Sequence, residues 1–344
     1  MKRIAASLVL VTVLFACNKV PNPDNFDHIF GETFTKGLRI DGHDYDSLII
    51  ENCTFTNKSL QLGNVDDVII RNCTFENINS DGIRVGFIGE ASNILIDGCT
   101  FKQIGSNGID SHEKAIDCII QNSYFENIAM SEVGAAMGQP HHGIYWKGKN
   151  VHITGNTFVN GEQPFGNAIS VRSSGRVSGN HIKNAVKNGI MYYANHPGGD
   201  SLIIENNTIS NSAFYSIIMG SDGNTANHNQ NVIIRFNTTV ETENESVYVA
   251  EDFESTTHVE IYGNIFVNAS GEYLKSFYPL NDVYSNLQSQ SDIGFVNMNG
   301  EDFHILPSSA ANGYCNGLTQ FPLYDIDGDS RSTTNLDAGS DEIN

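Results

Sequence analysis

The stretch Ile49-Ile50-Glu51-Asn52-Cys53-Thr54-Phe55 returns as Ile69-Ile70-Arg71-Asn72-Cys73-Thr74-Phe75 and again as Leu95-Ile96-Asp97-Gly98-Cys99-Thr100-Phe101. A fourth copy, Ile119-Ile120-Gln121-Asn122-Ser123-Tyr124-Phe125, keeps the pattern. It then continues through Asn156, Asn180, Asn207 and Asn237 to Gly263-Asn264-Ile265-Phe266. Taking the residue after the Asn or Gly as marker, successive copies are separated by 20, 26, 24, 33, 24, 27, 30 and 27 residues. A common minimum with uneven excess fits a coil of constant cross-section whose turns vary in length. Between markers lies a second short run: Leu38–Ile40, Leu60–Leu62, Ile83–Val85, Ile109–Ser111, Ile144–Trp146, Ile169–Val171, Ile190–Tyr192, Ile217–Met219 and Val247–Val249. None of these runs has a helical period, and none would bury its apolar face alone. The copies therefore have to stack as a solenoid of parallel strands about 4.8 Å apart, with two or three strands in each repeat.

Composition agrees. The 344 residues are 40% hydrophobic and only 17% charged, with 32 Gly, which excludes a long coiled coil, a helical bundle or a disordered polyanion. Against 19 Lys and Arg stand 40 Asp and Glu, a net charge of -21. Binding to nucleic acid or anionic lipid through bulk charge is thereby excluded, and an acidic ligand has to meet a local basic patch.

At the N-terminus, Lys2 and Arg3 precede an apolar run from Ile4 to Phe15, and Leu14-Phe15-Ala16-Cys17 resembles the lipobox of bacterial lipoproteins. This resemblance implies a signal peptide over residues 1–17, acylation of Cys17, and residence in the bacterial cell envelope on the outer membrane, with membrane contact through the lipid alone. Residues 18–33 read as tether and N-terminal cap, 34–284 as a parallel β-solenoid of about nine or ten coils, and 285–344 as a C-terminal cap closing the open end of the core. A monomer is expected.

The marker column runs Cys53, Cys73, Cys99, Ser123, Asn156, Asn180, Asn207, Asn237, Asn264. Small and amide side chains at one turn predict a ladder of hydrogen bonds from coil to coil. Rung spacing falls within disulfide reach, but parallel stacked side chains do not supply the required dihedral, so free buried thiols are expected, with Cys118 and Cys315 unpartnered too.

In the second run, the first and third residues are apolar in most copies and point inward. The second residue and the one after the third point outward. The first outward column reads Arg39, Gln61, Arg84, Asp110, Tyr145, Ser170, Met191, Ile218, Tyr248. The second reads Asp41, Gly63, Gly86, His112, Lys147, Arg172, Tyr193, Gly220, Ala250. A one-residue slip would bury Lys147 and Arg172, which their charge forbids. Four consecutive coils thus carry His112, Lys147, Arg172 and Tyr193 over about 15 Å, flanked by Arg84, Asp110 and Tyr145. The longest gap inserts Glu126 to His142 directly before this patch, and the turns Ala194–Asp200 and Ser221–Asn231 are also enlarged.

Pattern and turn composition over roughly residues 34 to 275 resemble the right-handed parallel β-helix of pectate lyases and related polysaccharide enzymes. Chemistry that suits such a patch acts on uronate polymers. Cations neutralise the sugar carboxylate, a base removes the weakly acidic hydrogen on carbon 5, and an acid protonates the departing glycosidic oxygen. Arg172 is the candidate carboxylate clamp, and Lys147, crowded by Arg172 and Arg84, is base or second neutraliser. His112, oriented by Asp110, is a proton carrier, and Tyr145 or Tyr193 the acid. Arg84, Asp110, His141 and His142 are candidate substrate contacts.

Two further resemblances sharpen this. Lys147 and Arg172 on adjacent coils look like the catalytic pair of β-helical alginate lyases and chondroitinase B, whose calcium-binding Glu-x-Glu is replaced here by Pro140, His141 and His142. Calcium is possible and no cofactor is required. Asn107-Gly108-Ile109-Asp110-Ser111-His112 resembles the Tyr-Gly-Phe-Asp-Pro-His signature of mannuronan epimerases, matching at Gly108, Asp110 and His112. Hydrolysis competes: His141-His142-Gly143 is similar to the Gly-His-Gly of β-helical polygalacturonases and Asp81-Gly82 to their first acid. Ser106-Asn107, however, stands where that family has paired aspartates. A non-catalytic glycan-binding or adhesive β-helix is the alternative from another class. In the tail, Asp325-Ile326-Asp327-Gly328-Asp329 reads as a structural turn and not as a calcium loop. The expected activity is β-elimination on an acidic, alginate- or pectate-like polysaccharide.

Overall fold

The computed structural model describes residues 27–42, 47–130, 141–159, 166–194, 196, 199–221, 229–253, 257–280 and 282–343. The expected signal peptide, Cys17 and the expected tether up to residue 26 lie outside the described residues, as do positions 131–140 of the long insertion. Among the described residues no helix is long and apolar enough to cross a membrane. The chain winds as a right-handed parallel β-solenoid, its strands stacked coil upon coil into three sheets of 12, 11 and 10 strands. Sheet A contains strands such as Leu48–Glu51 and Val65–Arg71, sheet B Thr54–Thr56 and Thr74–Ile78, and sheet C Leu60–Gly63 and Ile83–Val85.

The repeated motif spans the corner between sheets A and B. Asn52, Asn72, Gly98, Asn122, Gly155, Gly179, Asn206 and Gly263 all stand in the left-handed region, with φ between 52° and 68°. That is why the position before the marker is mostly Asn or Gly, which adopt this conformation at least cost; Phe236, at φ 53°, is the exception in the column. A second column follows five residues on, at Asn57, Asn77, Gln103, Asn127, Asn184, Asn211, Glu241 and Asn268. It turns sheet B toward sheet C.

Inside the corner the marker asparagines form the expected ladder. Nδ2 of Asn156, Asn180, Asn207, Asn237 and Asn264 each donates to the next Oδ1, ending at Asn286, over 2.9 to 3.0 Å. In the earlier coils thiols take this place, and Cys53, Cys73, Cys99, Cys118 and Cys315 are all free and buried. Burial pushes the Cys118 and Cys315 thiols up to about 12. Beside the ladder, Phe55, Phe75, Phe101, Phe125 and Phe158 stack face to face at 4.6 to 4.9 Å. Asn207 is fully buried. It donates to the Val177 and Glu205 carbonyls as well as to Asn237, and accepts from Asn180. Asn207→Ala leaves several of these groups unpaired, and the expected loss is about 3 kcal/mol, read as a lower urea midpoint. An unchanged midpoint would mean the ladder only decorates the corner.

Both ends extend past the expected limits. Asp27–Phe30 pairs in parallel with Leu48–Glu51, so coiling begins at 27, not at 34. Leu287–Ser289 still pairs with Ile265–Val267, so residues 285–289 belong to the coil and not to a cap. The expectation that the C-terminal segment closes the open end is also corrected. Tyr273, Leu274, Tyr278 and Leu280 pack against the end of the main core. The tail instead lies along the outside of sheet B, where Val240, Ile265 and Val267 join Ile293, Phe295, Phe303, Ile305 and Leu336 in a second core. The physical reason is visible down sheet B. Its outward residues are Thr and charged in the early coils but become apolar at Val240, Ile265 and Val267, which demands a cover.

Candidate functional site

Sheet C pairs in the expected register. Arg39, Gln61, Arg84, Asp110, Tyr145, Ser170, Met191, Ile218 and Tyr248 stand opposite one another in sequence along the axis. The second outward column follows: the His112 amide donates to the Val85 carbonyl and the Arg172 amide to that of Trp146, each at 2.8 Å. Between these coils the ladder is interrupted at Ser111, whose hydroxyl accepts from the Lys147 amide at 2.8 Å and so fixes the lysine backbone.

Lys147 Nζ lies 2.9 Å from Asp110 Oδ1, the two side chains being 15% and 11% exposed. It also sits 4.3 Å from the centre of the Tyr145 ring and 5.1 Å from that of Phe87. The Arg172 guanidinium lies 5.0 Å from the same Tyr145 ring and 5.4 Å from Tyr193. Arg84 covers Phe87 at 4.0 Å and pairs with Asp81 at 3.4 Å. Arg84, Asp110, Tyr145, Lys147, Arg172 and Tyr193 therefore form one cluster of cations threaded between aromatic rings. The wall is recessed, not open: Asp110, Ser170, Arg172, Met191 and Ile218 are all buried. Burial pushes the Asp110 carboxyl up to about 6, against the pull of the Lys147 ammonium and with help from the Asp81 charge.

Three sequence assignments change. Asp110 bonds Lys147 rather than orienting His112. His112 meets Phe87 edge-on at 5.6 Å, its Nδ1 buried without a hydrogen-bond partner among the described residues. His142 is sealed inside the corner and is not a substrate contact. Its Nδ1 accepts from the Asn167 amide at 3.2 Å, and its own amide donates to Asn107 Oδ1 at 2.7 Å. Burial holds its imidazole well below the ordinary range, with the Arg172 charge adding to the effect. It belongs to a second polar ladder in which Asn107 donates to Asp81 at 3.0 Å and Asn188 to Asn167 at 2.7 Å. Asn and His recur there because each both gives and accepts a bond along the axis. His141 is half-buried, and burial lowers its pKa.

Three participants escaped the sequence reading. Phe87 carries Arg84 and Lys147. Ser170, in the column beside Tyr145, has a fully buried hydroxyl with no hydrogen-bond partner among the described residues. His196, on an enlarged turn, lies 3.6 Å from Glu113, and burial lowers its pKa, with Lys147 and Arg172 contributing. The missed signal was that Ser170 is the one small polar residue in a column otherwise filled by large side chains. Buried orphan atoms such as Ser170 Oγ and His112 Nδ1 are uncommon in folded proteins.

Among the described residues before Lys147, His142 is buried in its ladder and Asp110 is held by Lys147, so neither is free to serve a calcium ion. A different group of metal-capable atoms, from His304, Asp327 and Asp341, all within 4.8 Å of one another, sits in the tail against sheet B, away from this cluster. Asp325 there folds a turn, its Oδ1 accepting from the Asp327 and Asp329 amides.

Residues 35–231 match the family model described as right handed beta helix region. Among solved structures, pectate lyase Pel9A is similar over 92% of this chain and 86% of its own, at 11% identity and a TM-score of 0.61. The surface adhesin PfbA of Streptococcus pneumoniae is similar over 80% of this chain and 85% of its own, at 13% identity and a TM-score of 0.46. For an alginate lyase from Paenibacillus sp. str. FPU-7 the figures are 75% and 99%, at 14% identity and 0.46. No curated protein matches the chain. At such identities the likeness is one of fold.

Proposed function

Because the chain belongs to the family of right handed beta helix regions, with its cations gathered on one sheet of the coil, we propose that it cleaves a uronate-containing polysaccharide by β-elimination. The observation that carries this reading is that Lys147 and Arg172 both lie against the Tyr145 ring, in a recess of a protein whose net charge is -21. In such a protein a cation pair costs least if it meets an anionic ligand.

The two cations neutralise the uronate carboxylate and so acidify the hydrogen on carbon 5. That proton leaves to a base, the bond from carbon 4 to the glycosidic oxygen breaks, a double bond forms between carbons 4 and 5, and the departing oxygen takes a proton. Tyr145, against both cations, and His112 are the groups this reading assigns to carry these protons. No metal enters the scheme. The same proposal sets the domain in the bacterial envelope, acylated at Cys17. Incubation with alginate, pectate and glycosaminoglycans, followed by ultraviolet absorbance of the unsaturated product, tests it. Silence on every polymer, or epimerisation seen by NMR without cleavage, overturns it.

A second reading is favoured by two carboxyls on adjacent coils, Asp81, paired with Arg84 at 3.4 Å, and Asp110, which stands opposite Arg84 in sheet C; hydrolysis needs such a pair. The pH dependence separates the two. In elimination the ionised Asp110 holds the Lys147 ammonium in place, so turnover rises through about pH 6 and then levels. In hydrolysis with Asp110 as acid, turnover falls through the same pH and no ultraviolet signal appears. Stability runs the other way from elimination. The folded carboxyl titrates above its unfolded value, so its favourable contribution is present at low pH and lost as pH rises through about 6. Asp110→Asn removes both trends, which rate and melting profiles against pH will read.

A further inference from the structure

Farther along sheet C, the outward column that begins the site ends in an aromatic run that the proposed chemistry does not use. Tyr145 pairs with Ser170, Ser170 with Met191, Met191 with Ile218 and Ile218 with Tyr248. Tyr248 thus lies four coils beyond Tyr145, about 19 Å along the axis. Its ring stacks on Tyr215 at 4.5 Å and 4°. Phe214 meets Tyr215 edge-on at 5.4 Å, and Phe277 meets Tyr248 edge-on at 6.1 Å. The two phenylalanines are 47% and 52% exposed, apolar surface that the core does not need.

We propose that Phe214, Tyr215, Tyr248 and Phe277 form a second binding station for the same glycan, stacking on the C–H faces of pyranose units downstream of the one held by Lys147 and Arg172. This rests on the reading of the sheet C wall as glycan-binding. The occupant follows from three features. The station continues the same strand column as the cation cluster, so a chain extended along the axis reaches both. Its border carries the Glu245–Lys275 pair at 3.7 Å, which offers sugar hydroxyls both donor and acceptor groups. A flat ring with an apolar face and a polar rim matches that surface, since aromatic side chains take apolar faces while their edges stay wet.

Calorimetric titration with trisaccharides and decasaccharides of galacturonate, mannuronate, guluronate and chondroitin tests the proposal. For the sugar that binds, the wild-type chain is expected to hold the decasaccharide at least about tenfold more tightly than the trisaccharide. Tyr248→Ala and the Phe214→Ala/Phe277→Ala pair, each checked for fold by circular dichroism, are expected to collapse that ratio toward one, and Tyr248→Phe to keep it. A ratio that persists in the alanine variants overturns the station, as does failure of the wild-type chain to bind any of the sugars. So does a change confined to self-association by sedimentation. If Lys147→Met leaves binding and turnover as they were while Tyr248→Ala abolishes the length dependence, the station stands and the elimination reading falls. The reverse pattern rejects the station alone.

Discussion

Lys147→Met is expected to lower turnover of the cleaved polymer by about a thousandfold while the protein keeps its fold, because two losses fall on the same step. The substrate carboxylate loses its nearest neutralising charge, and Asp110 loses the ammonium at 2.9 Å that favours its ionised form. With burial already pushing that carboxyl up to about 6, the unpaired group takes a proton, and Arg172 is left as the one cation against the Tyr145 ring. Lys147→Arg is not expected to restore the rate. A planar guanidinium cannot occupy the compact position between Asp110 and the Tyr145 ring that the ammonium fills. Ultraviolet absorbance of the product gives the rate, and a thermal midpoint near that of the wild-type chain excludes simple unfolding. Turnover within threefold of wild type would end the elimination reading.

Arg331→Met is expected to cost about 4 kcal/mol and to free the tail from sheet B. Arg331 and Glu342 are both fully buried and paired at 3.2 Å. The guanidinium also donates to the Gly339 carbonyl at 2.8 Å and to Asn206 Oδ1 at 2.9 Å, and lies 4.8 Å from the Phe236 ring. Methionine fills the space but strands the carboxylate in the core beside Asp337, whose amide it still accepts. Adding Glu342→Gln removes the stranded charge and is expected to recover part of the loss. Limited proteolysis reports release of the tail and chemical denaturation the energy. A single variant as stable as wild type would show that the second core alone holds the tail.

The coil was legible because each repeat writes its corner in residues with a backbone reason to be there. Asn and Gly accept the left-handed turn, and the marker after them faces the ladder. The columns of sheet C were legible because charge forbids the opposite register. The ends were harder. Ile29-Phe30-Gly31-Glu32-Thr33-Phe34 is a copy of the motif with Gly31 at φ 71°, but Glu32 replaces the small marker. Tyr284-Ser285-Asn286-Leu287 is another, with Ser285 at φ 52° in place of Gly. Pairing inside the site was not legible. A column places Asp110, His112 and Lys147 side by side but does not say which of its neighbours the carboxylate will choose. His142 looked like a ligand from sequence because the residue that fills a corner ladder and the residue that binds a sugar can be the same type.

The tail also changes how the coil comes apart. In a simple stack every turn touches only its two neighbours, and a chain can peel from one end, rung by rung. Here Ser340 bonds both Thr208 and Thr238, Gly339 reaches the Gly263 carbonyl, and Arg331 holds Asn206. One strap is thus riveted across three successive turns, so this end opens all at once or not at all, and among the described residues no such strap binds the coils near Asp27, where a pulling force is expected to fray the stack first.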